Sequence, residues 1–215
     1  MHRELGELVE NYPDLLPVAA QAQQACELLL QCYRGGGKVL VCGNGGSAAD
    51  SEHLVGELMK SYLLPRRLPA ERRAALAATS ANDGAYLAEH LQSALPAISL
   101  ASQVALMTAV ANDLGADLVF AQQVVGYGRA GDALVAISTS GNSRNVLLAA
   151  AVARAQGLKT IGFMGRGGGQ LRGLCDVAVC VPHDRTAVVQ ERHLALYHAI
   201  CGALERSLFG ATDKE

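Results

Sequence analysis

The sequence predicts an α/β protein of three layers, with helices on both faces of a doubly wound, five-stranded parallel sheet. Three observations lead to this. Strand-like and helix-like segments alternate from about residue 38 onward. The strand-like runs are continuously apolar, as in Val39-Leu40-Val41 and Ala133-Leu134-Val135-Ala136-Ile137, the pattern of strands covered on both faces. Two of these runs break into a polar, glycine-bearing turn that leads into a helical pattern. Right-handed crossovers then place ligands at the C-terminal ends of the strands.

Each element follows in order. From about Leu5 to Cys32, apolar residues recur at helical spacing (Leu8, Val9, Leu16, Val18, Ala22, Cys26, Leu29, Leu30), with Pro13 and Pro17 disturbing the first part. Gly35-Gly36-Gly37 ends this N-terminal helical arm, residues 1–34. A strand is expected over Lys38–Cys42 and a helix from there to about Leu63. Residues 64–94 are too long for a plain connector and read as a lid, an interface arm or an extra helical pair, with short helices over Pro69–Ala78 and Tyr86–Ser93. Strand two is Ala97–Leu100. Helical regions follow over Ser102–Val110 and Asp117–Tyr127. Strand three covers Ala133–Ser138 and its helix Asn142–Gln156. Strand four is Lys159–Met164, and Gly165–Gly169 forms a loop before a short helix. Strand five is Val177–Val181, and a last helix spans Thr186–Leu208. No internal repeat or low-complexity segment divides the chain, so residues 1–215 read as one domain.

Composition narrows the function. Half the residues are apolar, enough for a sizeable core, and the net charge of −2 argues against nucleic acid or an anionic membrane as partner. No apolar run reaches the length of a membrane span, and Met1-His2-Arg3-Glu4-Leu5 opens no signal peptide. Cys26, Cys32, Cys42, Cys175, Cys180 and Cys201 sit in apolar segments without a C-x-x-C pair. They read as small core residues in a reducing cytoplasm rather than as a thiolate metal site.

The two turns carry the first functional signal. Gly43-Asn44-Gly45-Gly46-Ser47 follows strand one, and Ser138-Thr139-Ser140-Gly141-Asn142-Ser143 follows strand three. Glycines allow close backbone approach, and a helix N-terminus offers free N–H groups and a positive dipole end. Together these make an anion site. The first turn is neither a Walker motif nor G-x-G-x-x-G. Capping also fits: Ser47 with Asp50 forms a capping box, and Ser140 or Asn142 serves as an N-cap. Capping needs one side chain, however, whereas the second turn offers four hydroxyls and no Lys or Arg. That suits a sugar phosphate bound by neutral donors and backbone amides. On the helix after the first turn, His53 and Glu57 share a face, as a solvated pair, an acid–base pair or metal ligands. On the last helix His193 is expected on an exposed or interfacial face. His198, between Tyr197 and Ala199-Ile200, fits a core histidine.

These turns, with His53 and Glu57 and with Gln190-Glu191-Arg192-His193 and His198, resemble the sugar isomerase (SIS) domain family, and within it the phosphoheptose isomerase branch. The resemblance covers nearly the whole chain. It implies a flavodoxin-like SIS fold, a cytoplasmic homotetramer with interfacial sites, and isomerisation of sedoheptulose 7-phosphate to D-glycero-D-manno-heptose 7-phosphate through an enediol, an early step toward surface polysaccharide heptose. Residue by residue, it implies phosphate binding by Ser47, Ser138, Ser140 and Ser143, with Asn44, Gly45, Gly46 and Thr139 in the same loops. Asp113 and Gln190 would contact substrate. Glu57 and His198 would be the acid–base pair, and His53, Glu57, Gln190 and His198 would hold one zinc per subunit. One spacing strains that set: Gln190 and His198 lie about 12 Å apart along an ideal helix, so they share a site only if the helix start frays or if two chains contribute. The chain departs from the family in the length of 64–94, in apolar Ala187-Val188-Val189 before Gln190, and in Ser61 near a family arginine, where adjacent Lys60 is the substitute. The chain also resembles the SIS protein that associates with the bacterial replication initiator, a non-enzymatic branch that tends to lack the residues matching Glu57 and His198. A sugar-phosphate sensor is a further alternative.

Overall fold

The computed structural model describes residues 1–210. Five parallel strands, β1 (Val39–Cys42), β2 (Ala97–Ser99), β3 (Ala133–Ile137), β4 (Lys159–Met164) and β5 (Val177–Cys180), stand in the order β2-β1-β3-β4-β5. The nine α-helices of the described residues are α1 (Arg3–Asn11), α2 (Ala19–Arg34), α3 (Gly46–Met59), α4 (Ala70–Ala77), α5 (Gly84–His90), α6 (Val104–Asp113), α7 (Val119–Tyr127), α8 (Arg144–Ala155) and α9 (Thr186–Phe209). The expected three layers are present, because strand side chains alternate between two apolar clusters. Val39, Val41, Val135 and Ile137 pack with α1, α2, α3 and α9. Leu40, Cys42, Leu134 and Ala136 pack with α6, α7 and α8.

The N-terminal helical stretch divides where its prolines stand. A 3₁₀ turn over Pro13–Val18 separates α1 from α2, since each ring removes a donor and fixes φ. Asp14 in that turn accepts from both His183 and Arg192 at 2.6 Å, which ties it to α9.

α3 ends at Met59, short of the expected Leu63, and Lys60 is already extended. A side chain from outside the helix, Arg66, takes the carbonyls of Leu58 and Glu57 and stops the helix there. Residues 64–94 form the expected helical pair, α4 and α5. Their neck is closed by Ser93 N–H donating to the Arg66 carbonyl at 2.7 Å and by an antiparallel bridge between Arg67 and Gln92.

The sheet order sets the position of the site. β1 lies between β2 and β3, so the chain leaves β1 toward one edge and β3 toward the other. The crevice outside such a switch point is where open α/β sheets take ligands.

Candidate active site

Both predicted loops flank that crevice. After β1, Gly45 adopts φ +55° and lets the chain turn into α3. The Asn44 carbonyl accepts from Ser47 N–H, and the Gly45 carbonyl from Ala48 and Ala49. Ser47 is buried beneath this loop. After β3, Gly141 at φ +66° lies against the Gly168 carbonyl, where a side chain would not fit. Ser138 Oγ donates to Ser143 Oγ at 3.1 Å, and Ser140 Oγ accepts the Asn142 N–H at 3.2 Å. Thr139 contributes its carbonyl to Gly165 N–H at 2.9 Å. The capping alternative fits neither helix start: α3 is capped by Gly45 rather than by a Ser47–Asp50 box, and α8 by Ser143 rather than by Ser140 or Asn142, neither through a side chain.

A residue that the sequence reading passed over joins the loops. Asn145, in the first turn of α8, exchanges two amide hydrogen bonds with Asn44, each 2.9 Å. The partners are 101 positions apart, so no local pattern announces the pair. Arg144, beside Ser143 in sequence, is engaged by Asp117 at 2.8 Å. The N-termini of α3 and α8 thus converge on one polar crevice furnished with hydroxyls and amides.

The second part of the site lies where α3 and α9 pack side by side in parallel. Gln190 presses its amide on Gly46, Tyr197 reaches Asp50 and His53, and His198 reaches His53. A constant offset of about 144 residues therefore carries both helices along together. His53 Nε2 is 3.3 Å from Glu57 Oε1 and 3.3 Å from His198 Nε2. One ligand atom from each of the three lies within 4.8 Å of the others. Ligands about 2.0–2.1 Å from a tetrahedral zinc are about 3.3 Å apart, so the spacing of His53 from its two neighbours fits a metal. Lys60 Nζ reaches Glu57 Oε2 at 3.2 Å.

Neighbours hold these rings. Tyr197 OH bridges Asp50 Oδ1 (3.4 Å) and His53 Nδ1 (3.0 Å), leaving Nε2 of His53 facing the triad. Burial raises the Asp50 carboxyl above its ordinary range, against the Tyr197 hydrogen bond. Tyr62 stacks on His198 with ring centroids 5.6 Å apart. Burial lowers the His198 pKa, neighbouring His53 lowers it further, and Glu57 opposes both. His198 is therefore the neutral imidazole at neutral pH, able to accept a proton.

The two histidines of α9 sit the reverse of the expectation. His198 is partly exposed rather than a core histidine, while His193, expected on an outer face, is wholly buried. The two are five apart, so their faces differ, and α9 packs deeply enough to enclose His193. The start of α9 does not fray, since the helix is regular from Thr186. Gln190 consequently stays against Gly46 in the loop after β1, about 12 Å along the axis from His198. Asp113 ends α6, exposed and bonded to Asn112 at 2.8 Å. Its carboxylate makes no hydrogen bond to either loop among the described residues.

Comparison with known proteins decides the family. The model of the SIS domain matches residues 17–165. The phosphoheptose isomerase of Akkermansia muciniphila is 36% identical over 203 residues, covering 94% of each chain, and that of Pelobacter propionicus is 40% identical over 207 residues, covering 96% of this chain and 93% of its own. The chain belongs to the phosphoheptose isomerases of the SIS-domain family. Solved phosphoheptose isomerases agree. That of Neisseria gonorrhoeae superposes with a TM-score of 0.73 at 36% identity, covering 93% of this chain and 94% of its own. That of Francisella tularensis gives 0.75 at 31%, covering 91% of each. Among the described residues of this family member, no helix is long and apolar enough to cross a membrane.

Proposed function

We propose that the protein isomerises sedoheptulose 7-phosphate to D-glycero-D-manno-heptose 7-phosphate. The observation that carries this reading is the joining, in one chain, of a neutral anion crevice to a carboxylate–imidazole pair. His53 is seven residues along α3 from Gly46, about 10 Å. An extended seven-carbon chain with its phosphate, at about 1.5 Å per bond, spans a similar length. Ser47, Ser138, Ser140 and Ser143, with the amides of Asn44, Gly45, Gly46 and Thr139, hold the phosphate; Gln190, over Gly46, and Asp113 contact the sugar.

Glu57 and His198 then exchange the proton. One leaves C1 as the ketone oxygen gains one, giving the enediol. A proton returns to C2 as the C1 hydroxyl gives its own up. The contact between Glu57 and His198 through His53 favours an enzyme over an initiator-associated or sensing protein.

His53, Glu57 and His198 would hold zinc, which would polarise the carbonyl; a carboxylate that ligates zinc is no longer a free base, so the two roles compete for Glu57. A Gln190 ligand would have to come from another subunit. The protein works as a homotetramer in the cytoplasm. Met59, Leu63 and Leu194 are exposed apolar side chains near the triad in sequence, and a second subunit covers them.

The test is incubation with sedoheptulose 7-phosphate, with and without added zinc, followed by NMR of the products. Glu57→Gln and His198→Ala are each expected to lose about 10²–10⁴-fold in kcat with the fold intact. Near-normal turnover by Glu57→Gln would refute the assignment. Elemental analysis without zinc after dialysis against zinc-containing buffer would refute the metal.

A further inference from the structure

Beneath the triad lies one buried ion pair. Arg66 and Glu205 have side chains sealed from solvent and meet at 2.6 Å. Glu205 stands on α9, seven residues beyond His198. It accepts the backbone N–H groups of Tyr62 (2.8 Å), Leu63 (2.5 Å) and Leu64 (2.8 Å) besides the Nε of Arg66. The Arg66 guanidinium faces the other way with its remaining donors. Nη1 reaches the Leu58 carbonyl at 2.6 Å, and Nη2 the Glu57 carbonyl at 3.1 Å. The Phe209 ring covers the guanidinium at 5.1 Å.

Stability alone does not account for such a pair. Well-packed apolar residues of similar volume often replace a buried ion pair at no loss of stability. What apolar residues do not supply is this set of directed bonds, and its partners surround the triad. Glu57 is the carboxylate of the triad, Tyr62 stacks on His198, and α9 carries His198. The planar fork of arginine serves two carbonyls and a carboxylate at once, which a lysine ammonium on a flexible stem does not match.

We propose that Arg66 and Glu205 are positioning residues for the acid–base pair: they fix the last turn of α3, which presents Glu57, and hold the Tyr62 ring against His198. The inference rests on the isomerase reading above. It extends to the 64–94 segment, whose neck is bonded to the Arg66 carbonyl, so that helical pair is rooted on the same bonds as the catalytic carboxylate.

The experiment compares the wild-type protein with Arg66→Lys and with the double variant Arg66→Met/Glu205→Leu. It measures melting temperature, kcat and KM separately, and the ring-proton NMR shifts of His198 and His183. Arg66→Lys keeps the charge opposite Glu205 and loses the fork. It is expected to fold, to lose about tenfold to a hundredfold in kcat, and to keep KM within about twofold because the phosphate loops are untouched. The His198 ring protons shift as the Tyr62 stack loosens, while those of His183 stay. The double variant is expected to melt near the wild-type temperature with the same loss of kcat. A folded variant with wild-type kcat and unmoved His198 resonances overturns the proposal. So does failure of both variants to fold, which would assign the pair to the fold alone. If the wild type does not turn over the sugar phosphate, the functional reading fails by itself, and the His198 resonances still decide whether the pair positions that ring.

Discussion

His193 has no solvent exposure, and its one hydrogen bond joins Nε2 to the Met164 carbonyl at 3.3 Å. Its Nδ1 has no partner among the described residues. Burial pushes its pKa down to about 4, against that hydrogen bond. The folded state therefore refuses a proton that the unfolded chain accepts near pH 6.5. The stability is complete above the unfolded value and is lost as pH falls from about 6.5 toward 4, by roughly 3 kcal/mol. Urea denaturation at pH 7 and at pH 4.5 should show that loss. His193→Gln, although less stable at pH 7, should lose much less between the two. Equal losses in variant and wild type would mean that other groups govern acid unfolding. His193 also shows the limit of reading single residues. An apolar strand run announces burial by itself, whereas a polar residue on a long helix is buried or exposed according to how far its neighbours reach.

At the scale of elements, the Asn44–Asn145 pair joins two loops that each belong to a different strand–helix unit. Each half of the proposed phosphate crevice forms locally, but the spacing between halves depends on this pair and on the pairing of β1 with β3. Each lost hydrogen bond costs about 0.5–1.5 kcal/mol. Asn145→Ala is therefore expected to raise KM about fivefold to tenfold with little change in kcat, and Asn44→Ala to do the same. The double variant should cost scarcely more than either alone; additive losses in steady-state kinetics would show that the amides act independently. Sequence made both halves legible, because glycines, hydroxyls and apolar strands recur in short windows. It did not show the clamp, nor the early end of α3 at Met59. Asn145 lies 101 positions from its partner, and the helix stop comes from Arg66, whose role depends on Glu205 far along the chain. The five strands were readable in order and near their ends. The triad of His53, Glu57 and His198 was readable only through family resemblance, since no spacing within one helix brings α9 to α3.

For the whole molecule, the single chain already contains Glu57 and His198 in one triad. This changes what oligomerisation can contribute. A composite site was expected because Gln190 and His198 are far apart on α9. In the single chain Gln190 lies against Gly46 and His198 against His53. In the homotetramer proposed above, subunit contacts would cover Met59, Leu63 and Leu194, which are exposed at 45%, 54% and 38%. Light scattering is expected to report a tetramer, and Leu194→Asp to shift it to smaller species with lower activity. Mixing Glu57→Gln with His198→Ala subunits supplies the decisive arm. If both residues act from one chain, every site in a mixed oligomer carries one lesion, and activity stays at the level of the variants. If they act from neighbouring chains, random mixing repairs about a quarter of the sites. Recovery to that level would overturn the single-chain site, whereas the contacts of His53 with both residues lead us to expect none.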